Sequence, residues 1–374
     1  MTVSRVIDAD GHVNEPPVLE QFLDCLRPPY RDRARPSPEN PMTLLIDGKV
    51  WPPRRKDPKR LVVHGGEALA SWHEQPARSG MWDPHRRIRD MDVDRMDVAV
   101  LFPGPYGLAA PGHPDPQMAV ALALAYNDWL ARYCKPFPER LKGVASLPAH
   151  DVPASVAELR RCVKELGFVG GMMPNRPPNA QRNLDDPAYE PLWDEAQRLD
   201  VPICIHNNAF QMALQERFTF GGGMHSYLGN KPIHDPVENM LAVQALIFGG
   251  VLDRFPRLRV AIMEGGVGWI PFWMDRLGEY YEEFLEGTFK RGGPVEYFKS
   301  EQLFFSFEVE ETTVGYVANV IGPERLLYAS DYFHHDAKVP GSVKLVEKRR
   351  DLTQEAKNAV LGGNAAVLYG SGVG

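Results

Sequence analysis

The chain of 374 residues carries 42 Lys and Arg against 49 Asp and Glu, a formal net charge of −7. That balance, with no basic run longer than KDPKR or EKRR, argues against nucleic acid as the principal partner and leaves a small-molecule substrate as the default. The length suits one large α/β barrel domain over residues 1–374 better than two domains.

The first strand candidate is SRVIDAD. Residues 16–90 then form a Pro-, Arg- and Trp-rich excursion with weak periodicity, in which only PPVLEQFLDCL and GGEALASWH read as helices. From Asp97 a rhythm begins of short apolar or β-branched runs bounded by Pro or Gly, each followed by an amphipathic segment. The runs are DVAVLFP, LKGVASLP, FVGGMMP, VPICIH, LRVAIMEGG, QLFFSFE and RLLYASD, which with the first make eight. The intervening helices include MAVALALAYNDWLARYC, VPASVAELRRCVKELG, DPAYEPLWDEAQRLD, VENMLAVQALIFGG, WIPFWMDRLGEYYEEFLEG and ETTVGYVANVIG, with KNAVLGGNAAVLYG closing the chain. Asp151 with Pro153 and Asp186 with Pro187 mark helix starts, and Gly167 and Gly322 mark stops. Eight strands alternating with helices predict a distorted (β/α)8 TIM barrel with a long N-terminal insertion after the first strand. An open doubly wound sheet is the alternative, but neither GxGxxG nor GxxxxGK[ST] follows the early strands.

Cys25, Cys134, Cys162 and Cys204 are scattered without CxxC spacing, which predicts reduced, packed thiols and no thiolate metal cluster. MTVSRVIDADGH has no charged segment leading into an apolar one, and no apolar stretch of about 20 residues follows, so no membrane association and a cytoplasmic location are expected.

A barrel carries its chemistry at the C-terminal ends of the strands. There the sequence places Asp8, Asp10 and His12 on strand one, Asn175 and Arg176 on strand four, His206 and Asn207 on strand five, Glu264 on strand six, Glu308 on strand seven and Asp331 on strand eight. Carboxylates and imidazoles converging on one mouth need partners or a metal to offset their desolvation. Strand periodicity puts Asp8, Asp10 and His12 on one face, so the pair Asp8 and Asp10 and the pair Asp10 and His12 are both open as ligands. With His206 and Asp331, two imidazoles and two carboxylates form an N₂O₂ set that suits one divalent ion. Zn²⁺ is the first choice, and the hard oxygens also admit Mn²⁺ or Fe²⁺.

These landmarks, in order, resemble the amidohydrolase superfamily over nearly the whole chain. They are most similar to its branch of mononuclear metal-dependent decarboxylases and hydrolases, which includes the aminocarboxymuconate-semialdehyde, γ-resorcylate and 2,3-dihydroxybenzoate decarboxylases. DADGH resembles the first-strand ligand motif, which implies Asp10 and His12 as ligands, with Asp8 a supporting acid. VPICIH resembles the fifth strand ending in ligand His206, LLYASDYFHHD the eighth-strand motif of Asp331, and GGNAAVLYG the C-terminal helix. FPRLRVAIMEGGVGW resembles the approach to strand six, where many members carry a catalytic His and this chain carries Glu264.

The resemblance implies a decarboxylase of a small aromatic or unsaturated carboxylic acid, or a hydrolase of a cyclic amide, amide or lactone at the same site. Asp331 and an ion-activated water would handle protons, with Glu264 orienting that water. It also implies a homodimer or homotetramer. In the segment after strand five, read as a loop, His225 is a candidate replacement for the strand-six histidine and His234 a substrate contact or a helix cap with Asp235. Arg176, with Asn175 beside it, is a candidate clamp for a substrate carboxylate. Of His334 and His335, one is expected to contact substrate or support the site and the other to be solvated. Trp269, Phe272 and Trp273 fit helix packing, and His64, His73, His85, His113 and His150 read as surface histidines.

Overall fold

The computed structural model describes residues 5–53, 76–177, 182–207, 224–332, 334 and 337–374, with the backbone alone at 76, 77 and 224–231. All eight expected strands form: β1 (Ile7–His12), β2 (Val98–Phe102), β3 (Leu141–Ser146), β4 (Gly170–Pro174), β5 (Ile203–His206), β6 (Val260–Ile262), β7 (Leu303–Phe307) and β8 (Leu326–Tyr328). They pair in parallel in chain order. Parallel neighbours need crossover connections, which the intervening helices supply. The ring closes past the end of β8, where Asp331 N–H donates to the Asp10 carbonyl at 3.0 Å and His12 N–H to the Tyr332 carbonyl at 2.7 Å. The fold is the expected (β/α)8 barrel.

Two apolar layers hold it. Val98, Val100, Phe102, Val144, Met172, Cys204, Ala261 and Phe304 belong to one buried cluster with Ile7 and Ala9, joined by Leu368, Tyr369 and Val373 from the chain's end. Tyr369 Oη donates to the Ala9 carbonyl at 2.9 Å, tying the C-terminal segment to β1. A larger cluster, with Leu122, Trp129, Leu159, Trp193 and Leu246, packs helices onto the outside of the strands. Burial at roughly 25 cal/mol per Å² of apolar surface makes these layers the main favourable term. The expected helix starts are real: the Asp151 carboxylate accepts from Ala154 N–H and that of Asp186 from Ala188 N–H. All four cysteines are buried and unpaired, as expected.

Residues 16–53 are more ordered than their periodicity indicates. Three antiparallel strands, Ala34–Pro36, Leu44–Ile46 and Lys49–Trp51, form a small separate sheet. Each is three residues long, too short for an alternation to register. The segment GGEALASWH, with His64 and His73, lies outside the described residues. A second difference follows β5: the helix Met224–Phe248 encloses both His225 and His234 and runs through Pro232 and Pro236. Two prolines usually end a helical reading, which is why the sequence there reads as a loop. Among the described residues, no helix is long and apolar enough to cross a membrane.

Candidate metal centre

β1 does not keep strict alternation. Its pairing with β2 slips between Asp8 and Gly11, a bulge that inserts one extra residue and re-aims the side chains beyond it. Gly11 is required there, because a Cβ would lie 2.3 Å from Arg87 Nη2 and 2.7 Å from Asp8 Oδ2. The expectation that Asp8, Asp10 and His12 share one face is thereby corrected. Asp8 is fully buried away from the other two, accepting from Ser330 N–H at 2.8 Å and Ser330 Oγ–H at 2.5 Å, with Arg87 Nη2 at 3.8 Å. Burial outweighs Arg87 and pushes the Asp8 carboxyl up to about 7.

Asp10 and His12 instead face His206 and Asp331. His12 Nε2 is 3.6 Å from Asp10 Oδ1 and 3.4 Å from Asp331 Oδ1, and His206 Nε2 is 3.5 Å from Asp10 Oδ2. Ligands about 2.1 Å from a tetrahedral ion are separated from one another by about 3.4 Å, which these spacings resemble; Asp10, His12 and His206 form one possible ligand group, and Asp331 joins His12 in a second with His334. Both imidazoles are oriented from behind: His12 Nδ1 lies 2.9 Å from the Pro103 carbonyl and His206 Nδ1 2.8 Å from the Asn207 carbonyl. A proton on each Nδ1 leaves each Nε2 lone pair aimed inward, the tautomer a metal needs. Among the described residues, Asp10 Oδ1, His12 Nε2 and His206 Nε2 are buried without a hydrogen-bond partner. Buried polar atoms are rarely left so, and a cation at their common focus satisfies all three. The donor set fits a divalent metal.

Electrostatics agree. Burial, only partly offset by His206, holds the Asp10 carboxyl above its ordinary range. Burial, then His334 and His206, push His12 well below the usual imidazole range, so it is neutral and ligand-competent. Burial opposes a charge on His206, but Asp10 and Glu264 outweigh it and raise this imidazole to about 9. A cation bound there would take the place of that proton.

Glu264 Oε2 stands 3.8 Å from His206 Nε2, on the rim of the same cluster. It and Asp331 are the strand-end residues with left-handed backbones, φ 46° and 51°. Asp47, Arg95 and Asp200 share this conformation at a turn and two helix ends, but Glu264 and Asp331 adopt it beside the ligand cluster, where such strain is part of a site's geometry. His334 Nδ1 approaches Asp331 Oδ1 at 2.8 Å, and its ring stacks on His12 with centroids 4.2 Å apart. Glu264, Glu308, Asp331 and Lys338 line a cleft of about 530 Å³ at the mouth.

The other expected residues are placed differently. Asn175 donates to the Oδ1 atoms of Asn207 and, at 3.3 Å, Asn239, so its amide serves a buried network. His234 is buried in its helix, 3.0 Å from Asp235 Oδ1. It and Arg176 both act on buried Glu238, whose carboxyl burial raises against their pull. The side chain of His225 and all of His335 lie outside the described residues. Trp269 and Trp273 are helix packing, their indole N–H groups donating to the Gly266 and Met240 carbonyls, whereas Phe272 is exposed. Sequence reasoning missed Arg87 and Asn239. Both are polar residues on the buried side of a helix, which was the available signal.

The family model described as "Amidohydrolase" matches residues 7–371. A 2-amino-3-carboxymuconate-6-semialdehyde decarboxylase from Dictyostelium discoideum is 32% identical over 297 residues, covering 78% of each chain. A gamma-resorcylate decarboxylase from Rhodococcus jostii is 32% identical over 193 residues, 49% of this chain and 56% of that one. Among solved structures, a dihydroxybenzoic acid decarboxylase from Polaromonas, with bound manganese and the inhibitor 2-nitroresorcinol, superposes with a TM-score of 0.64 at 24% identity, covering 80% of this chain and 89% of that one. With a ligand cluster at the mouth of an eightfold barrel and a family match over almost its whole length, the chain belongs to the amidohydrolase family.

Proposed function

We propose that the protein is a metal-dependent decarboxylase of a small aromatic or unsaturated carboxylic acid. The observation that carries this reading is the convergence of Asp10, His12, His206 and Asp331, with three buried atoms lacking a partner, in a chain related to decarboxylases. These four residues would hold the ion. Zinc, the sequence-based first choice, fits the donor set, and so does manganese, which the Polaromonas relative contains. When bound, the ion supplies a Lewis acid that draws electron density from a substrate oxygen.

The chain's own residues do the rest. Asp331, tethered by His334, sits at the rim where a substrate carbon meets the site. As the bond from that carbon to the carboxylate breaks, CO₂ leaves and the electron pair stays on the carbon, which takes a proton from Asp331. Solvent returns the proton to Asp331. Glu264, lining the same cleft beside His206, orients a water there. Arg176, on the loop after β4, is the candidate for a second anionic group of the substrate, in competition with the Glu238 carboxylate on which it acts.

The test is incubation of metal-loaded protein with a panel of hydroxybenzoates and of cyclic amides and lactones. CO₂ release from an acid, lost by at least about a hundredfold in Asp331→Asn, is the expected result. Ring opening of a lactone or amide without CO₂ overturns decarboxylation in favour of hydrolysis. The exposed Phe272, Tyr280 and Phe284 of helix Ile270–Phe284 support the expected homo-oligomer, which sedimentation tests.

A further inference from the structure

Glu264 follows β6 at the barrel mouth, and side chains from other elements brace its backbone on both sides. Its N–H donates to Ser306 Oγ, on β7, at 2.9 Å. Its carbonyl accepts from Asn207 Nδ2, just past β5, at 3.0 Å and from Asn239 Nδ2, in helix Met224–Phe248, at 2.5 Å. Asn175, past β4, donates to the Oδ1 atoms of both these asparagines and so orients them. Asn175, Asn207, Asn239 and Ser306 are all buried. Gly265 (φ 113°) and Gly266 (φ 66°) continue the left-handed turn, and a Cβ on Gly265 would lie 2.8 Å from Asn239 Nδ2.

A left-handed Glu costs on the order of 1 kcal/mol or more, and burying three amides is costly unless every donor finds a partner. Three side chains from three elements here hold the N–H and the C=O of one residue, a fourth orients two of them, and the carboxylate of that residue stands 3.8 Å from His206. We infer that Asn239, with Asn207, Asn175 and Ser306, is a positioning device that aims the Glu264 carboxylate at the metal centre. Asn239 itself touches neither substrate nor ion. The inference rests on the metal-dependent reading above and assigns Glu264 a fixed place at the metal centre, which an unbraced loop residue would not keep.

The test is a double-mutant cycle in the manganese-loaded enzyme. Asn239→Leu keeps the volume and removes the donor. Expected is a fall in kcat of about tenfold or more with KM within about twofold, and no further loss when Asn239→Leu is added to Glu264→Gln, because residues acting as one unit are not additive. Ser306→Ala, a mild change reaching the same residue from its other side, is the second variant and lowers kcat in the same sense. The manganese EPR spectrum gives an activity-independent readout: Asn239→Leu, Ser306→Ala and Glu264→Gln shift it alike. Multiplying losses in the cycle, an unchanged kcat in both single variants, or a spectrum altered by Glu264→Gln alone overturns the inference. A wild type inert toward every acid in the panel, with the three spectra shifting together, overturns the decarboxylase reading and sustains the positioning one.

Discussion

Replacing Asp10 by Asn separates the stability of the barrel from the strength of its metal centre. In the wild type, an ion present at a hundred times its dissociation constant contributes about 2.7 kcal/mol. A chain of 374 residues unfolds with an entropy of about 0.8 kcal/mol per degree, so that contribution raises Tm by about 3 to 4 °C. Asn keeps the shape of Asp10 but loses its charge, and disturbing even the residues behind a metal ligand costs 10- to 100-fold in affinity. At a hundredfold loss, the same ion concentration only matches the new dissociation constant, and the gain falls to about 0.4 kcal/mol, roughly half a degree. Without metal two effects oppose each other. Burial holds the Asp10 carboxylate above its ordinary range, which the uncharged amide relieves, but Asp10 is also the main partner of the His206 charge, so Tm stays nearly level. Thermal melts of both proteins, in chelator and in manganese, decide the matter. An Asp10→Asn protein that keeps the full metal-induced rise would refute Asp10 as a ligand.

Glu264→Gly is expected to raise the thermal midpoint while abolishing turnover, since glycine adopts φ 46° without strain; the net gain is about 1 kcal/mol after its extra unfolded-state entropy. A lower midpoint with turnover retained would show that the left-handed turn serves folding rather than the site. Glu15 predicts a pH dependence. Burial, against the amides of Tyr106, Gly107 and Gly104, pushes its carboxyl up to about 7 from 4.5. Between those values the folded chain keeps a proton that the unfolded chain has lost, so stability falls as pH rises from about 4.5 to 7, by on the order of 3 kcal/mol. Asp8, also raised to about 7, adds in the same sense. Urea titrations at pH 5 and pH 8 should show a smaller difference in Glu15→Gln than in the wild type, and an equal difference would contradict a buried, proton-holding Glu15.

The strand-helix rhythm from Asp97 onward determined the barrel by itself, because parallel strands buried on both faces are near-continuous apolar runs and their crossovers are amphipathic at a different period. The strand ends determined which residues gather at the mouth, since every β-to-α turn faces the same way. Pairwise choices within the site were not legible there. Strict alternation placed Asp8 beside Asp10, and only the β1 bulge at Gly11, made necessary by Arg87 packed beneath it, turns Asp8 toward Ser330 and leaves Asp10 and His12 to face His206. Asn175 read as a substrate contact because a polar strand end looks the same whether its partner is a ligand or, as here, another buried amide. His234 read as a loop residue because proline weighs against a helix locally, whereas the packing of helix Met224–Phe248 is decided by residues distant in sequence. Local composition sets which groups reach the mouth, and the long-range contacts of a bulge, a buried arginine and three amides decide where each one points.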